Sequence, residues 1–466
     1  MSFLIKNGTI VTSVDEFKGD VLIKDGKILA IGEKLCNNAD EVIDAKGMYV
    51  MPGGVDQHVH FSFEFNGEKV RGFETSNAAA VGGTTTVIEF VNQIEGKGLI
   101  DSIDDYRKEN ADGIAMVDYS FHGVITDPST GVFDEIEKLP EAGYPTVKLF
   151  MAYKGMFFHA DDDTIAKSME KAKDFGVTIM VHAENADLID LLQKNCIEKG
   201  NIEPYYHAVS RPPIVEVEAT ERAISIAKLM DAPLYVVHVS TKGAVDAIKR
   251  ARAEGLPIYG ETCTHYLTLN KENLAKPDFE GAKYVCSPAL REQDDIDYLW
   301  TSIKNNWLNA ISSDHCGFDW EKQKHMGKND FRNIPNGAPG MENRLGVLWT
   351  TGVETGRISR KQLVDLFATT PAKINGIGHR KGHIGVGYDA DIIIYNPNHK
   401  SKISAKNSLQ GVDYNSYEGF EQIGRPEKVF LRGNLIVEEG KYIGEKGQGK
   451  FIPGKPYGLC YDGVKR

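Results

Sequence analysis

The chain has 466 residues, of which 41% are hydrophobic, and its formal net charge at pH 7 is −12. This length can hold an α/β barrel, which takes about 250 residues or more, together with a smaller domain. The negative charge argues against a nucleic-acid partner and against an anionic membrane surface, since either would need a basic face on the protein.

The cysteines and the N-terminus indicate a soluble, cytoplasmic protein. A chain of this length does not need disulfides to fold, so we expect reduced thiols. The first residues, MSFLIKNGTIV, are too short and too polar for a signal peptide. No window approaches the ~18 consecutive apolar residues of a membrane span, so no membrane partner is expected. The six scattered cysteines are Cys36, Cys196, Cys263, Cys286, Cys316 and Cys460.

Both ends of the chain are rich in β-type runs separated by turn signals. The turn signals are Asn7-Gly8, Asp25-Gly26, Gly32 and Arg432-Gly433-Asn434. The predicted strands are 3–5, 9–12, 20–23, 28–31, 391–395, 428–431 and 434–437. We therefore predict a small β-sandwich domain formed from both chain ends, residues 1–52 plus 376–466, the second part including the C-terminal tail.

The middle of the chain alternates apolar strand-like runs with helical stretches. The predicted strands are 54–60, 84–91, 118–125, 146–153, 178–184, 234–240, 258–263 and 309–315, and the clearest amphipathic helices are 164–175, 215–230 and 244–254. Eight such β-then-α units predict an α/β fold, a (β/α)8 TIM-like barrel that forms the catalytic domain over residues 53–375. Catalytic groups in this fold lie at the C-terminal ends of the strands.

Five side chains that can bind metals lie near the ends of these strands. His58 and His60 are two residues apart in one strand, so both face the same side. His182, His238 and Asp314 lie within two residues of the ends of three further predicted strands. Zinc favours imidazole and carboxylate ligands. A single strand histidine is more often a hydrogen-bonded core residue, but five ligands at one barrel mouth predict a metal centre.

Lys148 is unusual because it lies in an otherwise apolar predicted strand, 146–153. A buried ammonium without a partner is costly, and its charge would repel nearby metal ions. The bland interpretation is a lysine that reaches the rim or pairs with an acid. Carbamylation by carbon dioxide would instead turn Lys148 into an anion, N6-carboxylysine, whose two oxygens can bridge two metal ions.

The sequences around these residues resemble one family. Residues 53–60, GGVDQHVH, resemble the amidohydrolase-superfamily signature. The chain is closely similar to the dihydropyrimidinase and D-hydantoinase family over nearly its whole length, and the combination of motifs is specific although HxH alone is weak. The other matching segments are KLFMAYKG (148–155), HAEN (182–185), ETCTHYL (261–267), SDHC (313–316) and FRNIPNGAPG (331–340).

This resemblance implies a hydrolase with two Zn²⁺ per chain, at sites that Mn²⁺ or Co²⁺ could also occupy. His58 and His60 would hold the first zinc, with Asp314 completing that site. His182 and His238 would hold the second zinc, and carbamylated Lys148 would bridge the two ions.

The resemblance also implies the catalytic roles. A hydroxide shared by the two ions would be the nucleophile. Asp314 would carry its proton to the leaving nitrogen, and Tyr153 would stabilise the oxyanion. Ser287 and Asn336 would bind the ring amide, largely through backbone groups. The expected partner is a small cyclic amide, and the family implies a homotetramer.

Several other conspicuous residues are interpreted as structural. We expect hydrogen-bonded structural roles for His122, His265 and His315, and a packed thiol for Cys316. Gly82-Gly83 is interpreted as a turn into a strand, because it lacks the spacing of a phosphate-binding loop.

The loop after the HxH motif bears on the substrate. Residues 61–65, FSFEF, contain no arginine, whereas dihydroorotase-like relatives often place one there to pair with the substrate carboxylate. The phenylalanines, together with Phe157 and Phe158, favour a neutral ring with an apolar substituent, although they could equally pack the loop onto the barrel. We predict ring opening of 5-substituted hydantoins and of 5,6-dihydropyrimidines to N-carbamoyl amino acids, with little activity on dihydroorotate.

Three alternatives remain open. An allantoinase-like cyclic amidohydrolase would use the same centre on a different ring. A non-catalytic scaffold protein of the same fold would lack the metal ligands, which are all present here. A single-metal deaminase would give Lys148 no second ion to bridge. The metal content of the purified protein separates the two-metal enzymes from the scaffold protein and from the single-metal deaminase.

Overall fold

The computed structural model describes residues 1–36 and 39–456, so Cys460 and residues 457–466 of the predicted tail lie outside the described residues. The strands are β1 Ser2–Val11, β2 Glu16–Lys24, β3 Lys27–Gly32, β4 Glu41–Asp44, β5 Tyr49–Pro52, β6 Gly54–His60, β7 Glu64–Phe65, β8 Glu68–Lys69, β9 Thr84–Asn92, β10 Asp118–Val124, β11 Thr146–Phe150, β12 Thr178–His182, β13 Leu234–Val236, β14 Ile258–Cys263, β15 Ala310–Ser312, β16 His315–Cys316, β17 Ile392–Lys402, β18 Glu421–Leu431, β19 Asn434–Glu438 and β20 Lys441–Tyr442. The helices are α1 Asn77–Val81, α2 Leu99–Asn110, α3 Val132–Glu135, α4 Leu139–Ala142, α5 Asp162–Phe175, α6 Ala186–Glu198, α7 Tyr205–Val209, α8 Pro213–Met230, α9 Lys242–Ala253, α10 Gln293–Lys304, α11 Arg344–Leu348, α12 Arg360–Val364 and α13 Thr370–Ile374.

Strands from the two chain ends form one sheet, in the order β20-β19-β18-β17-β5-β1-β2-β3, with β4 paired to β1. Its buried side chains share a core of their own, in which the rings of Phe3 and Phe430 meet edge-on with centroids 5.1 Å apart. The prediction of a β unit built from both ends is confirmed. The predicted turn at Asn7-Gly8 is wrong: β1 runs through it, and the extra residue is absorbed as a bulge where the pairing with β2 shifts.

The second large sheet is parallel and has the order β15-β14-β13-β12-β11-β10-β9-β6-β16. Its two edge strands, β15 and β16, belong to one run of chain interrupted by Ser313 and Asp314. β15 pairs with β14 at one edge, and β16 pairs with β6 at the other. The eighth strand therefore closes the sheet, and the predicted (β/α)8 barrel is confirmed.

Five barrel strands end earlier than predicted, and three of them do so by three residues or more. The strands predicted at 146–153, 234–240 and 309–315 stop at Phe150, Val236 and Ser312, respectively. The physical reason in each case is a residue beyond the strand in the left-handed backbone region: Tyr153 (φ 63°), His238 (φ 41°) and Asp314 (φ 49°). Such a residue cannot continue the extended pairing of a parallel strand.

A buried arginine holds the closing strands in place. The Arg344 guanidinium donates to the carbonyl oxygens of Val55 (3.0 Å) and Ile311 (2.9 Å), and to the hydroxyl of Thr84 (3.0 Å). Its Nε lies 3.6 Å from the carboxylate of Asp56. Arg344 therefore ties the first, second and eighth barrel strands together beneath the mouth of the barrel.

The other end of the barrel meets the terminal sheet and the last described residues. The Lys381 ammonium pairs with Asp118, at the start of β10, and with Asp391, just before β17. The Ile452 amide donates to the Tyr119 carbonyl (2.8 Å), so the C-terminal segment also lies against β10. The division into residues 1–52 plus 376–466 and residues 53–375 stays a prediction. Within residues 1–36 and 39–456, we find no helix with the length and apolar character needed to cross a membrane.

Candidate metal centre

Four histidines converge at the C-terminal mouth of the barrel. His58 and His60 lie at the end of β6, His182 is the last residue of β12, and His238 follows β13 by two residues. The ring centroids are 5.2 Å apart for His58 and His60, 5.3 Å for His58 and His238, and 4.5 Å for His182 and His238. All are buried except His60, which is partly exposed. The predicted set thus comes together as one cluster.

Asp314 joins the cluster from the break in the eighth strand. Its Oδ1 lies 3.2 Å from His58 Nε2 and 3.3 Å from His60 Nε2. The ligand atoms of these three residues lie close enough together to hold one metal ion. Burial alone would raise the pKa of Asp314, but the adjacent His58 ring and the hydrogen bond from His60 hold it well below its usual range. The carboxylate is therefore ionised and available as a ligand.

Two glutamates contact the histidines, and the sequence analysis had assigned neither of them a role in the site. Glu261 Oε1 lies 2.6 Å from His58 Nδ1, and Glu184 Oε2 lies 2.8 Å from His182 Nε2. Each glutamate engages one ring nitrogen, so the other nitrogen remains available to a metal ion, which is how carboxylates orient metal-binding histidines. Glu184 could have been found, because it follows His182 by two residues. Glu261 could not, because it is 203 residues from His58.

Burial sets the charge of the histidines. Burial, reinforced by the Lys148 charge, lowers the pKa of His58 well below its usual value. Burial and the neighbouring His182 do the same to His238. Both rings are therefore neutral at pH 7, which is the form that binds metal. In the described part of the chain, the buried Nδ1 of His238 has no hydrogen-bond partner.

Lys148 also lies inside this cluster. Its Nζ is 3.2 Å from His58 Nε2, and it sits over the rings of Phe90 (4.2 Å) and Phe150 (4.7 Å). None of the ion pairs found among the described residues includes Lys148. Burial lowers the pKa of Lys148 to about 8. The interpretation of Lys148 as a lysine that reaches the rim is wrong, because the side chain is only 1% exposed.

The three predicted substrate-binding residues face the same mouth. The Asn336 side-chain amide donates to the Tyr153 hydroxyl (3.3 Å), and Ser287 neighbours the same phenol. The Tyr153 ring lies 5.5 Å from that of His182. Burial raises the pKa of Tyr153, so its hydroxyl keeps its proton and can donate a hydrogen bond. Their roles toward a substrate stay predictions.

Most of the residues interpreted as structural make the contacts expected of such residues. His122 is hydrogen-bonded to the hydroxyl of Thr146 (2.6 Å) and to the carbonyl of Gln57 (2.9 Å). His315 Nδ1 accepts from the Gly340 amide (3.1 Å). His265 differs, since its ligand atoms lie close to those of Cys263 and Asp314. Within the described chain, the buried Nε2 atoms of His265 and His315 both have no hydrogen-bond partner.

The phenylalanines expected near the substrate divide into two groups. Phe61 is fully buried and packs against Phe73. It therefore packs the loop onto the barrel, which was the alternative to a role in substrate binding. Phe63 lies 6.4 Å from the ring of His60, and Phe158 lies 5.4 Å from that of Tyr153. These two rings border the mouth of the barrel.

Comparison with known proteins gives a consistent picture. Residues 49–436 match the model of the amidohydrolase family. The chain is 45% identical to a D-hydantoinase of Geobacillus stearothermophilus over 461 residues, 98% of each chain. It is 45% identical to a D-hydantoinase of Ralstonia pickettii over 459 residues, 98% of this chain and 100% of that one. The crystal structure of a dihydropyrimidinase from Brevibacillus agri NCHU1002 superposes with a TM-score of 0.95 at 43% identity, covering 98% of this chain and 99% of that one.

Proposed function

This chain belongs to the dihydropyrimidinase and D-hydantoinase family of amidohydrolases, and we propose that it opens cyclic amides with two zinc ions held at the barrel mouth. It is an enzyme that hydrolyses cyclic amides. The observation that carries the metal proposal is the cluster of His58, His60 and Asp314, whose ligand atoms lie within reach of one ion.

The residues present suit divalent metal. Four neutral imidazoles and one carboxylate form a donor set that zinc prefers. Among the described residues, the buried Nδ1 of His238 has no hydrogen-bond partner, which is unfavourable unless a cation binds nearby. The Lys148 ammonium lies beside a histidine nitrogen, which is unfavourable unless an anion is added there. We assign His58, His60 and Asp314 to one zinc, and His182 and His238 to the other. When bound, the metal lowers the pKa of water toward neutrality and so supplies a nucleophile.

We propose that Lys148 is carbamylated and bridges the two ions. Its neutral amine would bond to the carbon of carbon dioxide and release one proton, leaving an anionic carbamate. The support is that no acid pairs with its ammonium in the described chain, while a histidine nitrogen lies 3.2 Å away. ¹³C NMR after exchange with labelled bicarbonate tests this step: a carbamate signal is expected, and it should be missing from Lys148→Met.

The chain's own residues would handle the proton and the developing charge. In the hydrolysis, the oxygen of water bonds to the ring carbonyl carbon, and the ring carbon–nitrogen bond breaks. Asp314 would take the proton from the water and deliver it to the leaving nitrogen, since its carboxylate is ionised in the cluster. The protonated Tyr153 hydroxyl would donate a hydrogen bond to the carbonyl oxygen as charge builds on it.

The mouth of the barrel supports a neutral ring as substrate. Phe63 and Phe158 border it, and residues 61–65, directly after His60, contain no arginine that could pair with a substrate carboxylate. We propose that 5-substituted hydantoins and 5,6-dihydropyrimidines are both opened, giving N-carbamoyl amino acids. Ser287 and Asn336 would hold the ring amide.

Metal analysis and a substrate panel test the proposal together. We expect about two equivalents of zinc per chain by mass spectrometry of the metals, and none would overturn the metal proposal. The panel is dihydrouracil, dihydrothymine, hydantoin, 5-phenylhydantoin, allantoin and dihydroorotate, with ring opening followed in ultraviolet light. Fast turnover of dihydroorotate without turnover of hydantoin would contradict the substrate class. A preference for allantoin would favour the allantoinase-like alternative.

We also propose that the protein is a homotetramer, as its family resemblance implies. Light scattering coupled to size-exclusion chromatography should give four times the mass of one chain. A monomeric mass would contradict this part of the proposal without affecting the metal centre.

A further inference from the structure

A buried lysine that takes no part in the proposed chemistry lies beside the substrate-binding segments. Lys324 begins a short helical turn, Lys324–Gly327, and is fully buried. Its Nζ donates to the carbonyl oxygens of Val285 (3.0 Å), Pro335 (2.7 Å) and Gly337 (2.6 Å). An ammonium has three N–H donors and no acceptor, so these three carbonyls use all of its donors.

The three carbonyls belong to the two chain segments that carry Ser287 and Asn336. Val285 precedes Ser287 by two residues, and Pro335 and Gly337 flank Asn336. The Gly337 amide also donates to the Val285 carbonyl (3.0 Å). Lys324 therefore joins two segments that are about 50 residues apart in sequence.

The second of these segments is also packed against the last barrel strand. The Cys316 amide donates to the Ala338 carbonyl (3.0 Å). Gly337 has φ 131°, and a Cβ at this position would lie 2.4 Å from Cys316 Sγ. The segment is thus held between Lys324 on one side and β16, which begins one residue after Asp314, on the other.

We propose that Lys324 is a positioning residue that sets the separation of the backbone groups of Ser287 and Asn336, between which the ring amide binds. This inference rests on the proposed function, because that function supplies the substrate-binding role of the two segments. Backbone groups cannot adjust by changing rotamer, so their position depends on what holds the neighbouring carbonyls. Backbone groups that bind substrate and transition state alike contribute to KM, so loosening them should raise KM and leave kcat nearly unchanged.

The chemistry of Lys324 supports a role in hydrogen bonding over simple space filling. In the described chain no carboxylate forms an ion pair with Lys324, so the three carbonyl groups are what offset the cost of burying its charge. A methionine would fill a similar volume without the cost of burying a charge. What the lysine adds is the set of three hydrogen bonds to two segments.

The test is Lys324→Met, compared with Lys324→Arg and with Lys381→Met as a matched control. Lys324→Met should raise KM for hydantoin about tenfold or more and change kcat less than about threefold, because the backbone groups bind substrate and transition state alike. Metal content should stay at the wild-type level. Lys324→Arg, which keeps the charge and the donors, should recover part of the loss. Lys381→Met removes a buried lysine at the other end of the barrel and should leave KM unchanged.

A second readout is independent of activity. Hydrogen–deuterium exchange at residues 285–287 and 335–338 should be faster in Lys324→Met than in the wild type and in Lys381→Met. A wild-type KM and unchanged exchange in Lys324→Met would overturn the inference while leaving the proposed function intact. If the wild-type protein opens no ring, the proposed function fails, and the exchange measurement alone decides whether Lys324 orders the two segments. If Lys324→Met does not fold, Lys324→Gln takes its place in both measurements.

Discussion

Two buried lysines lie at opposite ends of the same barrel in opposite electrostatic surroundings. Lys381 is paired with Asp118 (2.6 Å), Asp391 (2.6 Å) and Asp389 (3.1 Å). Lys148 has a histidine nitrogen and two aromatic rings as neighbours, and no ion pair with an acid among the described residues. Lys148 is level with the last residue of β10, whereas Asp118 is the first, so the two sites are about 20 Å apart along the barrel.

The difference separates a structural charge cluster from a functional one. At the Lys381 end, Arg380 and Arg432 add further ion pairs to Asp389 and Asp118, so each carboxylate meets a cation. At the Lys148 end, Asp314 meets nitrogens of His58 and His60, while Glu261 and Glu184 contact the other sides of the histidine cluster. Among the described residues, none of these carboxylates forms an ion pair with Lys148. Paired charges of opposite sign are typical of a structural cluster. A cluster of metal-binding side chains whose nitrogen groups lack partners is typical of a site that binds ions.

Replacement of Lys148 by methionine should disrupt the metal centre at the barrel mouth and reduce turnover more than any other change. Without the bridging carbamate the two ions would lose their shared anion, so bound zinc should fall well below the wild-type content and ring opening should be abolished. Metal analysis and the ultraviolet assay measure both changes. Acetate added to the variant should restore part of the activity by supplying a small carboxylate. Wild-type zinc and turnover in this variant would rule out the bridge.

The pair Asp314→Asn and Asp118→Asn compares the same change at the two ends. Asp314→Asn should keep much of the metal, because three or more ligands remain, and lose about 10³-fold in kcat, because an amide cannot carry the proton. Asp118→Asn should leave kcat near the wild-type value and lower the midpoint of thermal unfolding. Equal kcat in wild type and Asp314→Asn would refute the proton-transfer role even if the metal site were correct.

Tyr153→Phe isolates one hydrogen bond at the mouth. Loss of a donor to the oxyanion should reduce kcat by about 10²-fold with a smaller change in KM. Asn336 would lose its contact with the phenol in this variant. Steady-state kinetics with hydantoin and dihydrouracil measure the effect, and an increase in KM alone would assign Tyr153 to ground-state binding instead.

Lys381→Met should have the smallest effect on turnover and a clear effect on stability. The substitution leaves three carboxylates at the buried junction between β10 and the terminal sheet short of a cation, which costs about 3–5 kcal/mol in the free energy of unfolding. Chemical denaturation measures this change, and kcat per folded chain should match that of the wild type. A large loss of activity in a stably folded Lys381→Met would show that the two ends are coupled.

Much of the barrel could be predicted because the information is local. Apolar runs of strand length alternate with helical patterns, and this periodicity identifies each β-then-α unit. The relation between His58 and His60 is also local, because residues two positions apart in a strand point to the same face. Strand ends were less predictable, because His238 and Asp314 leave the strand through left-handed backbone that residue type does not reveal.

Apart from Glu184, the partners of the site residues were not predictable, because they come from distant parts of the chain. Glu261 reaches His58 across 203 residues. Lys324 reaches Val285 across 39 residues, and Lys381 reaches Asp118 across 263. As a sequence position, Lys381 has no feature that distinguishes it from an exposed lysine.

The sequence by itself determined the barrel, the candidate ligands and the family, because strand periodicity and short motifs are properties of neighbouring residues. The tertiary structure decided which charges are compensated. Lys148 and Lys381 are the same residue type with similar burial, and their roles differ through the groups that the fold places within about 3 Å of each ammonium. Coulombic and hydrogen-bond energies depend on these separations in space, which spacing along the chain does not specify.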